Sequence, residues 1–220
     1  MFANKLRAEL SSNSLLEHRF YQLWEEGKLS KAALADYTKQ YHCFISTLPR
    51  FISLVYSKCD NPISRRILLE NLIIEGRGRD NKAKFWCNFA NKLDVIEYDV
   101  EYAVPNKTTE FILNKYWNLC NTSYASGLGA LYAYDYYAPI VTSMQMKSLK
   151  ENYNIKDKIS LEFFKSYQNT NVWDSDKIIA LIVKLINEDQ VTVFNSAISA
   201  HKAMWTFLDG ILIVNNLDNY

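Results

Sequence analysis

Residues 65–95 read RRILLENLIIEGRGRDNKAKFWCNFANKLDV. Two stretches of helical periodicity flank a Gly76-Arg77-Gly78 hinge. In the first, Glu75 follows Leu68 by seven residues and Leu72 by three, which puts all three on one helix face. In the second, Lys82 shares a face with Phe85, Trp86 and Phe89. Two charged side chains therefore point inward from neighbouring helices. Helix, glycine hinge and helix, with charge on the core side, is the pattern to be explained.

Outward from this pair the periodicity stays helical. A segment over about 13–27 stops at Gly27, and Ser30 caps a long helix to about 58 with Pro49 inside it. Asn61-Pro62 starts the helix that carries Glu75. The stretch DVIEYDVEYAVPN reads as a connection ahead of a helix capped near Asn106. Residues 107–147 hold two helices, or one interrupted between Cys120 and Ser123. Within them Ser126, Gly127, Gly129, Ala130 and Ala133 permit close helix approach. Three further helices fit about 159–171, 174–188 and 190–213. No internal repeat or linker appears, so the expectation is one all-α helical bundle over residues 1–220.

The chain has 220 residues, 49% of them hydrophobic, enough for one sizeable core. With 25 Lys and Arg against 24 Asp and Glu, it has neither a nucleic-acid footprint nor an anionic-membrane one. MFANKLRAELSSN lacks an apolar signal core, and no run approaches the eighteen or so apolar residues of a spanning helix. Cys43, Cys59, Cys87 and Cys120 are widely spaced and read as buried free thiols in a reducing cytosol.

Four helices place polar groups in their core stripe. After Glu75 and Lys82, Asp135 shares a face with Leu128, Leu131 and Tyr132. Tyr167, Asn171 and Asp174 fall at i, i+4 and i+7. Tyr21, Tyr37, Tyr41 and His42 add polar tips from the N-terminal half. Burying each without a partner would cost several kcal/mol, so convergence is expected. A Lys82–Glu75 ion pair in a hydrogen-bonded core and an inward carboxylate metal site both fit this spacing. No P-loop, GxGxxG, HExxH or GxSxG is present, and His18, His42 and His201 are scattered. His201 shares a face with Phe194, Ile198 and Trp205 and reads as a core residue.

Several stretches resemble the TENA/PqqC family, which has the haem-oxygenase-like helical fold. They are EHRFYQLWEEGKLSKAALADYTKQY (17–41), the opening stretch, SGLGALYAYDYYAP (126–139), EFFKSYQNTNVWDSD (162–176) and WTFLDG (205–210). The match is greatest to the subgroup of the Chlamydia protein associating with death domains. That subgroup resembles non-haem di-iron oxygenases linked to p-aminobenzoate supply for folate. The resemblance implies Glu75, Asp135 and Asp174 as metal ligands, but Lys82, Tyr167 and Asp174 stand where the family has histidine, and Asn171 where it has aspartate. Lys82 is then expected to replace the metal electrostatically, since iron in such sites relies on imidazole. Tyr21, Tyr37 and Tyr134 match tyrosines of the relatives and, with Lys82, are the candidate catalytic residues; Tyr41, Tyr167 and Asn171 are the candidate cavity residues. The subgroup's lysine after P-x-x-A is Gln145 here, and Lys147 faces about 200° away from it. The free thiols and missing signal core suggest a cytoplasmic protein, and the resemblance implies a homodimer. It gives two functional readings: a p-aminobenzoate-linked oxidoreductase, or a metal-free protein binding a small aromatic molecule or a death-domain partner. A thiaminase-like reading would rest on Cys120.

Overall fold

A computed structural model describes residues 2–76, 81–168 and 175–217. These form eleven helices, and no strand occurs among the described residues. They are α1 (Phe2–Ser11), α2 (Arg19–Glu25), α3 (Lys31–Ser57), α4 (Pro62–Gly76), α5 (Lys82–Lys92) and α6 (Glu97–Glu101). Then come α7 (Lys107–Thr122), α8 (Tyr124–Glu151), α9 (Glu162–Ser166), α10 (Ser175–Ile182) and α11 (Asn187–Val214). The architecture is the all-α bundle expected of the resemblance.

Local chemistry sets the starts of the helices. Ser30, Asn81, Asn106 and Ser123 each accept a backbone N–H with the side chain at the N-terminus of α3, α5, α7 and α8. Ser123 thus resolves the 107–147 region into two helices. Pro49 and Pro139 lie inside α3 and α8, where each removes one backbone donor.

Several boundaries differ from expectation. The N-terminal residues, to which the sequence reading assigns no element, form α1, because Leu6 and Leu10 bury completely. The segment over 13–27 is divided at His18, whose Nδ1 accepts the Phe20 N–H and caps α2 after a short 3₁₀ turn. The connection DVIEYDVEYAVPN contains α6, seated by buried Val100. The helix expected over 159–171 is only α9, with Tyr167 as its C-cap, so Tyr167 does not continue a helical line.

The longest helices enclose the core. α11 lies against α8 and α7, and α3 packs against α7, α4 and α5. Gly127 and Gly129 are where this succeeds. A Cβ on Gly127 would lie 2.3 Å from Val55 Cγ2, and one on Gly129 only 2.4 Å from the Val193 carbonyl oxygen. Ser196 Oγ donates to Ser126 Oγ at 3.0 Å beside them. The reading of 126–133 as a close-approach segment therefore holds. In contrast to the expectation for apolar runs, α11 is long and apolar enough to cross a membrane by length and composition. Here 56% of its apolar window is buried by protein, as in a core helix. Cys43 also departs from expectation: it is half-buried rather than buried, its thiol set between the Lys39 and Ala103 carbonyls.

Candidate functional site: a buried ammonium among carboxylates and phenols

Glu75 ends the apolar face of α4 and Lys82 opens α5. Their side chains are 2% and 8% exposed, and Lys82 Nζ forms an ion pair with Glu75 Oε1. The ammonium also lies 3.9 Å from the ring centroid of Tyr167, a cation–π contact in a desolvated place. The Tyr167 hydroxyl shares a hydrogen bond with that of Tyr134 from α8. Tyr134 in turn faces Tyr41 on α3. Tyr41 stacks on Tyr37 one turn away, with centroids 5.3 Å apart and planes at 12°. Tyr37 faces Tyr21 from α2. Five helices and the end of α9 thus supply one continuous polar path through an apolar core.

Burial dominates the electrostatics. It raises the Tyr21 phenol to about 12 and pushes Tyr37, Tyr41, Tyr134 and Tyr167 well above the ordinary phenol value. These groups are neutral phenols, able to donate a hydrogen bond or a hydrogen atom. Asp135, 2% exposed, holds its proton well above the ordinary carboxylate range. Burial is the main cause; the Glu75 charge adds to it and the Lys82 charge opposes it.

A cavity of about 30 Å³ adjoins this path. Its walls include Tyr21, Tyr41, Tyr134, Tyr116, Gln145 and Met204. It has room for a few water molecules at most, far below the several hundred Å³ of a ligand pocket. Gln145 is buried against it while Lys147 is exposed, as their angular separation on α8 requires.

Most of the expected site residues come together: Glu75, Lys82, Asp135, Tyr134, Tyr167, Tyr41, Tyr37 and Tyr21. Asn171 and Asp174 lie outside the described residues. Tyr116, Tyr137, Thr142 and Met204 also line the cavity and were not foreseen. Tyr116 follows Ile112 by four residues on the buried face of α7, the only signal the sequence offered. Cys120 is fully buried, and burial raises its thiol to about 12, so it is not a reactive nucleophile. His18, His42 and His201 are all buried; His201 stacks on Tyr137 with centroids 5.2 Å apart.

The described residues do not fit a di-iron centre. Glu75 is occupied by an ammonium, Tyr167 by a phenol bond, and neither position 82 nor 167 offers an imidazole. Among the described residues, Glu75 and Asp135 belong to no group of three His, Cys, Asp or Glu ligand atoms close enough to share an ion.

Fold and site together define a haem-oxygenase-like helical bundle with an ion pair in its core. The chain belongs to the TENA/THI-4/PQQC family, whose model matches residues 6–208. It is 31% identical over 222 residues to a 4-aminobenzoate synthase of Nitrosomonas europaea, spanning 96% of this chain and 90% of that protein. It is 28% identical over 212 residues to a 4-aminobenzoate synthase of Chlamydia muridarum, with the same two coverages of 96% and 90%. Among solved structures, a CADD-like protein of unknown function from Nostoc punctiforme superposes with a TM-score of 0.80 at 17% identity, over 97% of this chain and 96% of that one. A TenA homologue from P. horikoshii gives 0.78 at 18%, over 96% and 98%.

Proposed function

We propose that this chain acts in p-aminobenzoate supply and that its core site works without iron held at Glu75. The first half rests on the full-length likeness to proteins named 4-aminobenzoate synthase. The observation that carries the second is the buried Lys82–Glu75 ion pair. A fixed ammonium supplies the positive charge that a metal would bring, at one ligand's position and without a redox couple. Lys82 neutralises Glu75, orients the Tyr167 ring and, through it, the Tyr134 hydroxyl. The buried phenols of Tyr21 and Tyr134 are kept protonated at the cavity wall, with that of Tyr37 behind Tyr21, which supports their assignment as the groups that donate to a bound molecule.

The test joins two measurements on the full chain. Elemental analysis of protein expressed in iron-rich medium should find far less than one iron per chain, and the gene should rescue a p-aminobenzoate auxotroph. Two tightly bound irons per chain would overturn the metal-free site. Failure to rescue would overturn the role in p-aminobenzoate supply.

A second reading, a binding protein for a small aromatic molecule, is favoured by the ring-lined cavity. At about 30 Å³ it admits an aromatic ring only if its walls move apart. Titration with p-aminobenzoate, followed by tyrosine and tryptophan fluorescence, should saturate in the wild type and weaken in Gln145→Leu.

A further inference from the structure

A second cluster of donor atoms lies outside this path. Cys87 Sγ and carboxylate oxygens of Glu97 and Glu101 all lie within 4.8 Å of one another. Cys87 comes from α5, and the two glutamates open and close α6, so three donors bridge two elements. Two carboxylates at a surface are commonplace. The thiol is not: Cys87 is 1% exposed, is in no disulfide, and makes no hydrogen bond to the side chain of another described residue. It nevertheless lines an external groove, together with Glu101 and the buried His42. Burial and the charges of both glutamates raise the thiol to about 11. The resident cation is the Lys84 ammonium, paired with Glu97 and about 40% exposed.

We propose that Cys87, Glu97 and Glu101 form a binding site for a zinc-like divalent ion. A thiolate selects zinc and its relatives, whereas carboxylates alone would suit magnesium or calcium. Tetrahedral zinc with bonds of about 2.0–2.3 Å spaces its donors about 3.5 Å apart. Separations of up to 4.8 Å therefore close by side-chain rotation. As the Sγ–metal bond forms, the thiol proton passes to solvent, and Lys84 turns from Glu97 into water. Thiolate and two carboxylates then face one dication, and a fourth position opens on the groove beside His42 and Ser46. The ion would clip α5 to α6 at the rim of the groove, which reaches Glu75 at its inner end.

Cobalt(II) is the probe, because a cobalt–thiolate bond adds a charge-transfer band in the near ultraviolet. Titration of the full chain should produce that band at one equivalent. Cys87→Ser should abolish it and Cys43→Ser should leave it. Glu101→Gln, at an exposed position that cannot affect folding much, should weaken binding at least about tenfold. Lys84→Ala should tighten it about two- to fivefold by removing the competing ammonium. No band at one equivalent, a band that survives Cys87→Ser, or Lys84→Ala weakening cobalt would each overturn the proposal.

Discussion

At the scale of single residues, Lys82 is the decisive position. The opening stretch left two readings, an ion pair or a metal-binding arm, because helical spacing fixes a face but not the partner on it. The structure pairs Lys82 with Glu75 in a nearly dry place. Breaking such a pair leaves one uncompensated buried charge, whereas replacing both partners removes the desolvation cost as well. Lys82→Met alone should therefore cost about 3–5 kcal/mol of unfolding free energy. Lys82→Met with Glu75→Leu should cost much less than the sum of the two single changes. Urea unfolding in a double-mutant cycle measures this, and additive single effects would show that the two side chains do not interact. The inward direction of Glu75, Lys82 and Asp135 was legible from spacing against leucines and aromatics. The tyrosine order was not, since Tyr134 meets Tyr167 across 33 residues of chain.

At the scale of elements, helix caps and small residues did most of the specifying. Ser30, Asn106 and Ser123 start helices because their short polar side chains satisfy orphaned backbone donors. The short elements were legible only in part: α6 reads as a connection and α9 as a longer helix, because both are held by Val100, Phe163 and Phe164 reaching a core assembled elsewhere. That is also why the Cys87–Glu97–Glu101 cluster had no sequence signal. Its spacing depends on how α6 folds back on α5. The glycine pair in α8 gives a graded prediction. Gly129→Ala drives a methyl into the Val193 backbone carbonyl of α11, whereas Gly127→Ala meets a side chain, that of Val55 on α3. Gly129→Ala should lower stability by about 1–3 kcal/mol and by more than Gly127→Ala. Thermal unfolding of both variants ranks them, and the reverse order would place the rigid contact at α3 rather than α11.

At the scale of the whole molecule, all three histidines are buried and each has its imidazole value lowered, chiefly by burial. The charge of Asp209 partly offsets this at His18, and that of Glu97 at His42. A native state that binds protons less readily than the unfolded chain has its full histidine contribution above about 6.5, the ordinary imidazole value. That contribution is lost as pH falls through the lowered values. The urea midpoint should therefore drop below about pH 6.5, and His42→Gln should make the decline shallower. A decline that His42→Gln leaves unchanged would contradict a buried neutral imidazole at that position. Sequence alone determined the all-α class, the main helix starts, the family and the inward faces of the charged residues, because these follow from local periodicity and matching motifs. Only the tertiary structure decided that Lys82 holds Glu75, that the phenols form a path, and that Cys87 meets two glutamates. Those pairings depend on how separate helices cross, and an isolated helix face carries no information about what will be packed against it.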